Sequence, residues 1–212
     1  MITLRNVTKQ FGTCIALDGV SFNLNSGEIC TVVGRNGAGK STLIRILAGV
    51  IKPSAGTVCV LGEVPAGNWR LRRKIGLVDD QSSYFPELTG WEFLWWVCRL
   101  RNMPQSTAQK QMEEIAAEFY MDHKLNNIID AMSLGMKRKV LLASAFLGNP
   151  EVILLDEPSG GLDRASTESL WRILNRHRER GASVLMASHD EHFFEPVATR
   201  VIKIEQGRLT KT

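Results

Sequence analysis

An α/β fold is predicted by three stretches of this sequence taken together. The apolar run Ile29-Cys30-Thr31-Val32-Val33 leads into Gly34-Arg35-Asn36-Gly37-Ala38-Gly39-Lys40-Ser41-Thr42, which opens a helix with an apolar face. Strand, glycine-rich turn and helix in that order make a phosphate-binding loop. A second apolar run, Val152-Ile153-Leu154-Leu155, closes on Asp156-Glu157-Pro158, and a third, Ser183-Val184-Leu185-Met186-Ala187, closes on Ser188-His189-Asp190. Such runs, with no polar alternation, are what strands look like when both faces of a parallel sheet are covered. Polar residues at their ends then gather where open α/β sheets bind ligands.

The loop chemistry is specific. Its glycines let backbone N–H groups turn toward an anion with no Cβ in the way, and the helix adds the positive end of its dipole. Lys40 reaches the outer phosphates of a nucleotide, and the Ser41 hydroxyl is placed to hold Mg²⁺. Of the two carboxylates after the 152–155 run, one suffices for the metal ion and its neighbour can orient a water for attack. The plainer alternatives are a tight turn without a ligand and a polar turn after a strand. Lys-Ser in the loop, with paired acids about a hundred residues later, argues against both.

Composition narrows the class. A chain of 212 residues that is 44% hydrophobic and 23% charged suits one α/β domain, 1–212, with a substantial core. The net charge of +4 is too mild to argue for nucleic acid, and the basic runs at Arg70 to Lys74 and Lys137-Arg138-Lys139 read as solvated faces. Cys14, Cys30, Cys59 and Cys98 show no paired spacing, so no metal site or disulfide framework is indicated, which suits a reducing cytoplasm. Cys30 and Cys59 read as small buried hydrophobes. No signal-peptide pattern opens the chain. The longest apolar stretch, Phe93 to Cys98, falls far short of the roughly 18 residues of a membrane span.

The remaining elements follow in order. Ile2 to Thr8 and Val20 to Leu24 alternate, and read as strands of an antiparallel layer near the loop. Phe11, between them, can stack on a nucleotide base or serve as a core aromatic. The helix after the loop runs from Ser41 to Ala48. Gly56 to Leu61 is a strand, Trp69 to Lys74 a short basic helical turn, and Lys74 to Val78 a strand ending at Asp79-Asp80-Gln81. Gln81 is singled out by its place at a strand end, not by its type. From Thr89 the strand pattern stops. Helices Trp91–Leu100, Ser106–Phe119 (with Ser106 as N-cap) and Ser133–Leu147 form a helical subdomain, about 89–147, inserted in the core. The first carries two apolar stripes, Trp91, Leu94, Trp95, Cys98 and Phe93, Trp96, Val97, Leu100; one suffices to bury it, so it is either buried all round or turned toward a neighbour. Arg164 to Arg180 is an amphipathic helix ended by Gly181, and Arg200 to Ile204 with Gly207 to Leu209 reads as a closing strand pair. A lone histidine is usually structural, but His189 stands at the end of a buried strand.

The ordered set Phe11, Gly34–Thr42, Gln81, Ser133-Leu134-Gly135-Met136, Val152–Glu157, Ser159-Gly160-Gly161-Leu162-Asp163 and His189 strongly resembles the ATP-binding subunit of ABC transporters, over nearly the whole chain. The family signature Leu-Ser-Gly-Gly-Gln reads here Met132-Ser133-Leu134-Gly135-Met136, a variant that resembles subunits of small two-component exporters. The resemblance implies a P-loop NTPase with a RecA-like core, an antiparallel β layer and a helical insertion, using ATP and Mg²⁺. It implies that Phe11 stacks on adenine and that Gly34, Asn36, Gly37, Gly39, Lys40, Ser41 and Thr42 cradle the phosphates. Ser41, Gln81 and Asp156 would surround Mg²⁺, Glu157 would act as base on water, and His189 would hold the γ-phosphate. Ser133 and Gly135 would serve the nucleotide of a second ATP-binding subunit, identical or not, with Asp163 contacting that subunit.

The same resemblance implies a transmembrane permease subunit as partner, no nucleic acid, and a peripheral place on the cytoplasmic face of the cell membrane. The loop after Gln81 (Ser82, Ser83, Tyr84 and Phe85) would line a groove for a permease helix together with one stripe of Trp91–Leu100, since helix-in-groove docking needs such an aromatic lining. Two alternatives remain at this point. A soluble ABC-type ATPase acting on ribosomes or DNA would need tandem cassettes or long coiled-coil insertions, and a P-loop kinase would make Ser133-Leu134-Gly135 and His189 coincidental.

Overall fold

The computed structural model describes residues 1–79, 84–190 and 192–210. Strands β1 (Ile2–Phe11) and β2 (Cys14–Leu24) form an antiparallel hairpin closed by Gly12-Thr13. The hairpin is longer than its alternation predicts. Its register shifts between Leu4 and Val7, between Val7 and Lys9 and again before Gln10, and each shift moves the side-chain pattern off a strict period of two. Strand β3 (Ile29–Val33) enters the phosphate loop and α1 (Lys40–Leu47) leaves it; β4 (Ala55–Val60) then pairs with the free edge of β1.

The chain continues through α2 (Trp69–Arg72), β5 (Ile75–Val78), α3 (Gly90–Leu100), α4 (Gln105–Glu118), a 3₁₀ turn at Ile129–Ala131, α5 (Leu134–Phe146) and β6 (Val152–Asp156). It ends with α6 (Arg164–Glu179), β7 (Ser183–Ser188), β8 (Arg200–Glu205) and β9 (Arg208–Thr210). The larger sheet has the order β5-β6-β7-β3-β8-β9; its strands are parallel except β9, which runs against β8.

The wholly apolar runs are explained by what lies on each face. In β6, Ile153 and Leu155 belong to a core shared with α3, α4, α5 and α6, whereas Val152 and Leu154 belong to a core shared with α1 and the antiparallel layer. In β7, Val184 and Met186 divide from Leu185 and Ala187 in the same way. Alternate side chains of a strand point to opposite faces, so a strand covered on both sides needs apolar residues at every position. Each fully buried Leu or Ile contributes about 1.5–3 kcal/mol over leaving it exposed.

The 89–147 insertion starts with a capping box. Thr89 Oγ accepts from the Glu92 amide at 3.2 Å, and Glu92 Oε2 accepts from the Thr89 amide at 2.8 Å. Two backbone donors that the helix leaves open are thereby satisfied. Ser106 is not the N-cap of the next helix. Helix α4 begins at Gln105 on Pro104, without a side-chain cap, and Ser106 lies in its first turn. Proline suits that start because its fixed φ leads into the helix and its missing N–H would have no intrahelical acceptor. The stripes of α3 also resolve. Trp91, Leu94, Trp95 and Cys98 face the core, as does Phe93, but Trp96 is 41% and Leu100 52% exposed, so the helix is not buried all round.

One buried polar side chain makes the fold acid-sensitive. His177 of α6 is 3% exposed, with its ring 5.4 Å from that of Phe146. Burial, then the charges of Arg176, Arg180 and Arg101, push its pKa from 6.5 down to about 4. The unfolded chain takes up this proton more readily, so His177's contribution is intact above about pH 6.5 and is lost as pH falls from there toward 4. At 1.36 kcal/mol per pKa unit, about 2 kcal/mol of stability should disappear between pH 7 and pH 5. Chemical denaturation at the two pH values should show that loss, and His177→Gln should remove most of it.

Candidate nucleotide site

Three parallel strands bring the predicted residues to one edge. Val33 pairs with Ser188, and Asp156 pairs with Ala187, so the ends of β3, β6 and β7 are level. The phosphate loop, the paired acids and His189 leave the sheet from those ends. Helix α1 starts at Lys40 on Gly39, which has φ 110° and supplies no side-chain cap. Its first N–H groups thus remain directed at an anion. Gly39 is needed twice over, for its backbone angle and because a Cβ there would stand 2.4 Å from the Ala16 carbonyl oxygen of β2.

A cavity of about 750 Å³ lies against the loop, lined by Asn36, Gly37, Gly39, Lys40, Ser41 and Thr42 on one side and by Asp156 and Glu157 on another. Ala16, Tyr84, Leu134, Arg138, Gly160 and Gly161 also line it. Gly34 and His189 border an adjoining recess that shares Asn36 and Gly37. Lys40 is buried, and its ammonium donates to the carbonyls of Gly34 at 2.7 Å and Arg35 at 3.2 Å.

Glu157 joins the two halves of the site. Its Oε1 lies 3.5 Å from Lys40 Nζ, and its Oε2 lies 2.8 Å from His189 Nδ1. An ionised carboxylate only accepts, so His189 carries its proton on Nδ1 in that bond. The Glu157 backbone is left-handed, with φ 45°. In that region Cβ crowds the following carbonyl oxygen, at a cost of about 1–2 kcal/mol. Several bonds hold it there: Glu157 N–H donates to the Ala187 carbonyl at 2.9 Å, and its own carbonyl accepts from Gly160 N–H at 3.2 Å. Asp156, at the end of β6, is buried at 3% exposure.

The signature residues open α5. Ser133 is its N-cap, with Oγ accepting from the Met136 amide at 3.3 Å, and Leu134 is 83% exposed. Asp163 caps α6: its Oδ1 accepts from the Ser166 amide at 2.8 Å and its Oδ2 lies 3.3 Å from Lys139 Nζ. Hydrogen bonds from Ser166, then the Lys139 charge, hold the Asp163 carboxyl at about 2. Phe11 ends β1 with 49% exposure and the Lys9 ammonium 4.8 Å from its ring centre, so it is no core aromatic; Ala16, further along the same hairpin, is the residue that borders the cavity. Gln81, with Ser82 and Ser83, lies outside the described residues.

The basic run 137–139 is not a solvated face. Arg138 Nη2 donates to the carbonyls of Asp156 at 2.7 Å and Glu157 at 2.6 Å, and Lys139 is 8% exposed against Asp163. Charge counting hid this. Helical spacing contains the signal, since Lys139 falls on the buried stripe of Met136, Val140 and Ala143.

The profile of the ABC transporter family matches residues 17–160. The chain is 33% identical over 208 residues to the Nod factor export ATP-binding protein I of Burkholderia lata, spanning 98% of this chain and 68% of that protein. It is 31% identical over 209 residues to the SkfA peptide export ATP-binding protein SkfE of Bacillus subtilis, spanning 99% and 87%. Against ATP-binding cassette sub-family A member 2 of Rattus norvegicus it is 30% identical, spanning 92% of this chain and 8% of that one. The fold superposes with a TM-score of 0.91 and 28% identity on the dimeric structure of MJ0796, a bacterial ABC transporter cassette, over 100% of this chain and 97% of that one. A post-hydrolysis dimer of the same cassette with ADP and Pi matches at a TM-score of 0.90 and 27% identity, with the same coverage.

The chain therefore belongs to the ABC transporter family. Within it, this is an ATP-binding subunit, a P-loop ATPase.

Proposed function

We propose that this chain hydrolyses ATP with Glu157 as the base, in a head-to-tail pair with a second ATP-binding subunit, and that closure of the pair drives export through a separate membrane permease. The observation that carries the reading is the convergence of Lys40 and His189 on the Glu157 carboxylate. A carboxylate held between the phosphate-binding lysine and a histidine is placed to orient a water for attack on a terminal phosphate. Lys40 binds the β- and γ-phosphates, and His189 orients the γ-phosphate and the attacking water. The loop residues Gly34, Asn36, Gly37, Gly39 and Thr42 bind the phosphates through their N–H groups, and Phe11 stacks on the base.

The donor set suits Mg²⁺. Ser41 and Asp156 offer hard oxygens on one cavity, and no group of three or more His, Cys, Asp or Glu able to hold a metal occurs among the described residues. Mg²⁺ characteristically takes one or two protein carboxylates and completes its shell with other oxygens from phosphates and water. Ser41, Asp156 and Gln81 would hold the ion, which would supply charge neutralisation at the phosphates.

Ser133 and Gly135 stand at the free end of α5, where a hydroxyl and helix N–H groups are available to the nucleotide of a facing subunit. Asp163 reaches that subunit through its loop while keeping its cap. The insertion about 89–147 acts as part of the same domain and carries the permease contact. Phe85, 46% exposed, packs edge-on against Trp96 at 4.9 Å between ring centres, so two adjoining aromatics remain open. A cytoplasmic permease helix fits such a lining. No helix among the described residues is long and apolar enough to cross a membrane, and the proposed place is peripheral, on the cytoplasmic face, with no nucleic acid partner. Charged substitutions at Phe85 and Trp96, one at a time, should abolish permease pulldown while sparing melting temperature and basal ATPase. A collapse of melting temperature in every variant would return the patch to ordinary core.

A further inference from the structure

Arg138 is half-buried on α5, yet it does not interact with that helix's own exposed face. Its Nη2 reaches out of the helix and donates to two consecutive backbone carbonyls, those of Asp156 and Glu157. The second belongs to a residue with left-handed φ, a conformation that persists only when its surroundings fix it. A backbone rotation at Glu157 would swing its side chain away from Lys40 and His189. Burial lowers the Arg138 pKa, and the carboxylates of Asp156, Glu157 and Asp79 oppose that shift, so the charge stands among the acids of the site. A charged donor on a carbonyl makes about twice the bond of a neutral one.

The anchor end is equally fixed. The first turn of α5 packs so closely on the turn after Glu157 that a Cβ on Gly135 would stand 2.8 Å from the Gly161 carbonyl oxygen. One turn further on, Lys139 holds Asp163. The helix that presents Ser133 and Gly135 is thus tied to its own chain's acidic turn at three places.

We propose that Arg138 is a positioning residue for Glu157: it holds the left-handed backbone that aims the carboxylate, and it transmits movements of the signature helix into that backbone. The proposal rests on Glu157 being the base. In a head-to-tail pair, the helix serving one nucleotide would then adjust the base acting on the other. Arg138 touches neither phosphate nor water in this role; it works through Glu157.

Kinetics in two backgrounds test this. Arg138→Met should lower kcat for ATP by about 10- to 30-fold while KM for ATP and affinity for a fluorescent ATP analogue stay within about two-fold, the split expected when only a transition-state arrangement is lost. Arg138→Lys should recover most of kcat, because both bonds come from one nitrogen and an ammonium can make them. In the Glu157→Gln background, Arg138→Met should change the residual rate by less than about two-fold, since residues acting as a unit are non-additive. Equal losses in both backgrounds, or a fall in melting temperature and analogue binding that matches the fall in kcat, would overturn the positioning role. Glu157→Gln with the parent rate would instead remove the base assignment on which it rests.

Discussion

Glu157→Gln is expected to bind ATP as tightly as the parent chain and to hydrolyse it about 10²- to 10³-fold more slowly. The amide is nearly isosteric with the carboxylate, so the Ala187 and Gly160 backbone bonds of residue 157 are untouched. Its oxygen still accepts from His189, and the Lys40 bonds to the Gly34 and Arg35 carbonyls do not involve the side chain at all. What is lost is proton acceptance from water, so the loss falls on kcat. A factor of 10³ corresponds to about 4 kcal/mol of transition-state stabilisation. Lys40→Ala should behave in the opposite way, weakening nucleotide binding itself, because Lys40 is the buried cation of the loop. Phosphate release under single- and multiple-turnover conditions, with an analogue titration alongside, separates the two. A parent-like rate of phosphate release in Glu157→Gln would disprove the assignment of the base.

The parts legible from sequence were those fixed by local chemistry or strict burial. Buried strands β3, β6 and β7 announced themselves because both faces are covered, and the phosphate loop because few other arrangements need that glycine spacing beside Lys-Ser. The hairpin ends blurred because bulges break the period of two. At the start of α4, Ser106 misled because serine favours N-caps in general, whereas Pro104 two residues earlier had already set the chain direction. Thr89-x-x-Glu92 carried a capping signal just before a run already read as helix. Arg138 and Lys139 were invisible to charge counting, since their partners, two backbone carbonyls and Asp163, lie about twenty residues away and meet them only in the folded chain. Residue types of the site were readable one by one; the bonds from Glu157 to Lys40 and His189 needed the sheet register.

The pairing of two subunits gives the last large effect. Ser133 caps α5 with its hydroxyl directed to the Met136 amide, and Leu134 beside it is 83% exposed, so this helix start is open to a facing chain. Ser133→Arg would place a long cation where the opposing γ-phosphate must enter, and hydrolysis by that chain alone should fall to background. Lys40→Ala alone should do the same from the other half of the site. Mixed in equal amounts, the two variants form heterodimers in which one site carries both lesions and the other carries none. With random pairing and independent sites, about a quarter of the parent activity should return; strict coupling between sites would give less, but still more than either variant alone. Activity of the parent chain should also rise more than linearly with its concentration below the dimer dissociation constant. Linear dependence together with no recovery on mixing would show that the chain works as a self-contained monomer, and that Ser133 and Gly135 serve their own subunit.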